Sequence, residues 1–144
     1  MADEKADRLD EIIASHSGRE GPMLPILHDI QEEYGCIEDE AKRRIAAALN
    51  LSRAEVHGVV SFYHDFKAEK AHKPVLKLCR AESCKARGVE ALVAHAEATA
   101  GDRVEIETIY CLGLCSVGPN AMVGKKLYAY LDEPKLAAII AEMV

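Results

Sequence analysis

At Pro74 the spacing of apolar residues changes from a helical repeat to an alternating one, and no single regular element spans such a change. Before it, apolar residues recur every three or four positions. Leu9, Ile12 and Ile13 share one face of a helix expected over residues 5–16. Leu24, Leu27 and Ile30 share a face over residues 22–34, with Gly35 as a stop signal. An Ala-rich helix over residues 39–49 turns Ile45, Ala48 and Leu49 inward and ends near Asn50, and the acidic residues 38–40 suit its first turn. Ser52 and Glu55 form the capping-box pattern at the start of a fourth helix, with Val56, Val59, Val60 and Tyr63 as its apolar face.

Beyond Pro74 the pattern reads as a short strand over residues 75–79, a helix over 89–98 and a strand over 104–110. A hairpin follows, pairing 121–123 with 127–131 across Gly124-Lys125, and then a helix over 134–143 capped by Asp132 or Glu133. The order strand, helix, strand, strand, strand, helix predicts an α+β protein. Its N-terminal helical bundle (residues 1–70) precedes a four-stranded mixed sheet with two helices (residues 71–144), the content of a thioredoxin-like fold. No internal repeat or low-complexity tract interrupts this order.

Composition excludes several classes. Aromatic residues are 5% of the chain and tryptophan is absent, so the core is aliphatic. The formal net charge of −6 argues against nucleic acid, whose binders gain most of their affinity from cationic surface. The helices around Asn50 lack the basic face that a helix-turn-helix reader carries. No apolar run approaches a membrane span of about 18 residues. The polar start lacks the features of a secretory or transit segment, so a cytoplasmic protein is expected. A reducing compartment turns attention from disulfides to metal or redox chemistry.

Four of the five cysteines form two pairs, Cys79-x4-Cys84 and Cys111-x3-Cys115. Each pair begins at a strand end and continues into a loop, so two loops at one sheet edge bring four thiols together. Gly113, Gly118 and Pro119 permit a tight loop whose N–H groups turn toward sulfur. Zinc ribbons use x2 spacing, thioredoxin chemistry needs C-x-x-C, and a Rieske centre needs histidines in the loops. Spacing therefore favours one 2Fe–2S cluster on Cys79, Cys84, Cys111 and Cys115, with zinc and unmetallated cysteines still open. Cys36 stands alone and reads as a small buried hydrophobe. Arg80, Lys85 and Arg87 bracket the first pair, as counter-charges or as solvated loop residues. His57 and His64 lie seven apart on one expected helix face, read as ordinary polar decoration or as a partner contact. No nucleophile, carboxylate pair or phosphate loop marks an independent catalytic site.

The Cys-x4-Cys and Cys-Leu-Gly-x-Cys arrangement resembles the thioredoxin-like 2Fe–2S subunit of NADH:quinone oxidoreductase (complex I). The segments Leu24–Gly35 and Val60–Tyr63 agree with that family's helical half. One branch is closer. Leu51–Phe66, Cys79–Cys84 and Tyr110–Cys115 are similar to the gamma subunit of soluble NAD-dependent formate dehydrogenases. The resemblance maps the family's four cluster ligands onto Cys79, Cys84, Cys111 and Cys115. It implies an electron-transfer role beside a flavin (FMN) and NAD-binding subunit, in an assembly with a molybdenum-containing formate dehydrogenase subunit. Complex I and a soluble NAD-linked hydrogenase are the alternative parents, and a zinc-binding interaction module is the non-redox alternative. The stretch from Cys84 to Cys111 is short for the family, with residues 100–103 alone making its turn. The helical half is expected to be the docking element.

Overall fold

The computed structural model describes residues 1–144, apart from the side chain of Ala2. The chain divides into two compact units, Met1–Lys70 and Ala71–Val144.

The first unit holds α1 (Ala2–Ser15), α2 (Met23–Tyr34), α3 (Asp39–Leu49) and α4 (Arg53–Phe62). Its core gathers Leu9, Ile12 and Ile13 of α1, Ile26, Leu27 and Ile30 of α2, Ile45 of α3, and Val56 and Val60 of α4. Gly35 ends α2 in the left-handed region at φ 75°, and its N–H reaches the Gln31 carbonyl. Asn50 ends α3 in the same way at φ 54°. The capping box at α4 is complete: Glu55 N–H donates to Ser52 Oγ at 3.1 Å and Ser52 N–H donates to Glu55 at 2.7 Å.

Three expectations for this unit are corrected. Ala46 rather than Ala48 turns inward on α3. Tyr63 is 41% exposed, because α4 stops at Phe62 and Tyr63 takes an extended conformation. Phe66 then folds back into the core, with its N–H on the Tyr63 carbonyl at 3.1 Å. His64 therefore lies beyond the helix, and His57 and His64 do not share a helix face. Cys36 is buried, as expected of a small hydrophobe.

The second unit holds β1 (Val75–Cys79), α5 (Glu82–Ala86), α6 (Val89–Ala100), β2 (Glu105–Ile109), a 3-10 turn (Cys115–Val117), β3 (Ala121–Val123), β4 (Lys126–Tyr128) and α7 (Glu133–Glu142). The sheet order is β2-β1-β3-β4. Strand β1 runs parallel to β2 with Cys79 opposite Ile109, and antiparallel to β3; β3 and β4 form the hairpin. This is the mixed four-stranded sheet of the expected α+β class. Leu76 and Leu78 of β1 face Leu92 and Ala96 of α6 and Leu136 and Ile140 of α7 in one core. Burying each leucine or isoleucine contributes about 1.5–3 kcal/mol. Asp132 caps α7, accepting the Lys135 N–H at 2.9 Å, and Pro134 sits in its first turn. Both β2 and β4 are shorter than expected; Tyr130 and Leu131, expected in β4, donate instead to the Val117 and Pro119 carbonyls. The short helix α5 was not anticipated. Five residues are too few to display a period, and such a turn holds only in a tertiary setting.

Candidate metal centre

Parallel pairing of β1 and β2 brings their C-terminal ends to the same edge of the sheet. Cys79 closes β1, and Cys111 follows β2 by two residues. Arg80 N–H donates to the Ile109 carbonyl at 2.9 Å, which binds the two exits together. Cys84 does not lie in an open loop but on α5, where it is buried. Cys111 and Cys115 flank the Leu112-Gly113-Leu114 turn, and both are exposed. Cys111 itself adopts a left-handed conformation at φ 74°, rare for a residue with a side chain. Ser83 Oγ donates to the Cys115 carbonyl at 2.8 Å and so joins α5 to the second cysteine loop.

The sulfurs come together in twos. Cys111 Sγ and Cys115 Sγ are 3.6 Å apart. Cys79 and Cys84 lie within side-chain hydrogen-bonding reach of each other. The two pairs also sense each other: Cys79 charge pushes up both the Cys84 and the Cys115 thiols. Among the described residues, no three His, Cys, Asp or Glu side chains stand where they hold a single metal ion.

Backbone donors act on the Cys79 thiol. Burial pushes the Cys79 thiol up, but N–H groups of Ala81, Cys111 and Leu112 and the Cys84 thiol outweigh it. They leave Cys79 below the usual cysteine range. Burial pushes the Cys84 thiol up, then its bond to Cys79 adds to that, against an opposing N–H from Asn120. Its bond with Cys111 raises Cys115. Gly113 N–H donates to Cys111 Sγ at 3.4 Å, so the turn does aim backbone donors at sulfur. Arg80 is held by Glu90, at 2.6 and 3.1 Å, and is therefore committed to a surface ion pair. Lys85 and Arg87 are exposed.

Pairwise thiols with N–H groups directed at sulfur fit a two-iron cluster, in which each iron takes two protein ligands. A zinc ion instead needs all its donors around one point. Two thiol pairs therefore stand at the same end of the mixed sheet, Cys79 with Cys84 and Cys111 with Cys115.

The comparisons make the class specific. Residues 9–144 match the family model described as Thioredoxin-like [2Fe-2S] ferredoxin. The chain belongs to that family, and its cofactor is one 2Fe–2S cluster. It is similar to the NADP-reducing hydrogenase subunit HndA of Solidesulfovibrio fructosivorans, 30% identical over 142 residues, covering 92% of this chain and 82% of that protein. NADH-quinone oxidoreductase subunit 2 of Thermus thermophilus is 30% identical over 151 residues, covering 96% and 83%. Among solved structures, the H2-reduced NAD+-reducing [NiFe]-hydrogenase superposes with a TM-score of 0.68 at 22% identity, which establishes the thioredoxin-like fold. The match covers 81% of this chain but only 22% of that one.

Sequence reasoning missed the contribution of α5, the Ser83 bond and the burial of Asn120. A serine beside a cysteine and an asparagine after a proline carry no signal until the two loops meet. No helix among the described residues is long and apolar enough to cross a membrane.

Proposed function

We propose that this chain is a cytoplasmic electron-transfer subunit whose cluster is held by Cys79, Cys84, Cys111 and Cys115. The observation that carries the reading is that two thiol pairs stand at one sheet edge, one at the end of β1 and on α5 and the other around the turn after β2, with backbone N–H groups directed at Cys79 and Cys111. When bound, the cluster supplies reversible one-electron storage. The chain's own part is to hold four thiolates in place, to soften their charge with N–H dipoles, and to bury one pair while leaving the other exposed. The exposed Cys111–Cys115 side, flanked by exposed Tyr110 and Tyr130, suits contact with an electron partner.

That partner is a flavin (FMN) and NAD-binding subunit, in keeping with the relatives, which are subunits of NAD(P)-linked hydrogenases and NADH-quinone oxidoreductases. Within this class the parent enzyme we favour is a molybdenum-containing, NAD-dependent formate dehydrogenase. The similarity of Leu51–Phe66 and of Arg80-Ala81-Glu82 to the gamma subunit supports it. A hydrogenase or quinone oxidoreductase parent is the second reading, favoured by the identities of 29–30% with subunits of those enzymes.

The ligand assignment is tested by alanine at each cysteine, with iron and sulfide analysis and EPR. Loss at Cys79, Cys84, Cys111 and Cys115 with retention at Cys36 is expected. Full retention in two of the four would sink it. The parent is tested by purifying the native complex. Molybdenum with formate-dependent NAD+ reduction is expected, whereas hydrogen- or quinone-linked activity without molybdenum defeats the formate reading.

A further inference from the structure

Among the described residues Asn120 is the only polar one with a fully buried side chain, at 1% exposure, in a core otherwise built of aliphatic groups and cysteine. It follows Pro119 and leads directly into β3. Three of its groups are committed. Its backbone carbonyl accepts the Cys79 N–H at 3.0 Å. Its backbone N–H is directed at the Cys84 sulfur. Its side-chain Nδ2 donates to the Leu114 carbonyl at 2.9 Å, and Leu114 immediately precedes Cys115. The fourth group, Oδ1, is buried without a hydrogen-bond partner.

The side chain has one workable orientation. Flipping the amide would set Oδ1 against the Leu114 carbonyl, an acceptor facing an acceptor. Oδ1 is therefore left over because Nδ2 is used. A leucine shares the branched outline of asparagine with bulkier ends and would bury no orphan acceptor, whereas the asparagine leaves Oδ1 unpaired. What it adds is a link. Residues 79 and 84 are reached through its main chain, and the loop carrying residues 111 and 115 through its side chain.

We propose that Asn120 is a positioning residue of the cluster site, whose amide ties the Cys111–Cys115 loop to the Cys79–Cys84 side and sets the span between the two thiol pairs. This rests on the four-cysteine reading above. Outer groups that orient metal ligands change affinity by roughly 10–100-fold when removed. The main-chain links survive any substitution but proline at this position, while the Leu114 link does not.

The test uses the full chain, reconstituted with iron and sulfide, as Asn120→Leu and Asn120→Ala. Leucine removes the clamp together with its orphan oxygen. Alanine removes the amide and adds no bulk. Three properties are read: the rate of cluster loss to an iron chelator, the EPR g values of the reduced cluster, and the melting temperature of the cluster-free chain. Both variants are expected to lose the cluster roughly tenfold faster and to shift the g values. Cluster-free Asn120→Leu should still melt cooperatively, its bulkier side chain lowering the melting temperature. Wild-type release rates and g values in both variants would overturn the proposal. If Asn120→Leu does not fold, Asn120→Ala decides alone. Failure of the four-cysteine reading registers separately, as cluster retention in the cysteine variants of the wild-type background.

Discussion

Gly118 sits where a single methyl group separates packing from chemistry. Its backbone, at φ −70° and ψ 164°, is one that alanine adopts freely, so substitution strains no dihedral angle. The cost is steric. A Cβ there would lie 3.1 Å from Cys84 Sγ, 3.3 Å from Arg87 Cδ and 3.7 Å from Cys84 Cα. The exposed Arg87 side chain can move aside. Cys84 has no such freedom, because it is buried and carried on α5, which Ser83 ties to the Cys115 carbonyl. The shortfall to ordinary contact, at 3.4 Å, is about 0.3 Å, and it must be absorbed by the sulfur or by the Gly118 loop. Overpacking in a tight core costs about 1–3 kcal/mol, and so small an overlap belongs near 1 kcal/mol. For a unit of this size that lowers Tm by about 4–8 °C. Because the displaced atom is a proposed ligand, Gly118→Ala should also speed cluster release to a chelator. Gly124→Ala is the control. Its φ of 59° strains any side chain, yet nothing lies within 4 Å of the new methyl. It should lower Tm by a comparable amount, from about 1–2 kcal/mol of backbone strain, and leave cluster release unchanged. Thermal melts of cluster-free protein and chelator kinetics of the loaded protein make the comparison. Wild-type release from Gly118→Ala, or equal release from both variants, refutes the steric argument.

Leu136→Ala empties a fully buried position in α7 and should cost about 2–5 kcal/mol, read by denaturant unfolding; a loss under about 1 kcal/mol would mean the second core is not packed as described. Glu55 is held below the usual carboxylate range by the Ser52 backbone and hydroxyl groups. Its charged form therefore stabilises α4 above about pH 5, and that contribution fades as pH falls through its lowered folded value. Melts of wild type and Glu55→Gln should differ at neutral pH and converge near pH 3, and a constant gap would contradict the linkage. Deleting residues 1–70 is expected to leave a folded, cluster-bearing unit 71–144 that no longer assembles with the flavin partner in a pull-down. Unimpaired assembly would remove the docking role from the helical half.

Much of this protein is legible in local pattern. A helix face repeats every three or four residues and a strand face every two, so Leu9, Ile12 and Ile13, or Leu76 and Leu78, announce their burial within a few positions. The capping box at Ser52 and the glycine stop at Gly35 are equally local, since their partners lie within four residues. The cysteine spacings named the candidate ligands for the same reason: chemistry that needs particular side chains shows itself in residue type. What local pattern did not carry is everything decided by groups far apart in the chain. Tyr63 satisfies a helical period yet stays exposed, because Phe66 reaches the core first. Five residues become helix α5 only where Ser83 meets the Cys115 carbonyl, 32 residues away. Asn120 is an unremarkable polar residue in sequence and a buried clamp in the structure, because parallel pairing of β1 and β2 brings two loops together around it. Periodicity records which way a side chain points; only the closed tertiary structure determines what it meets there.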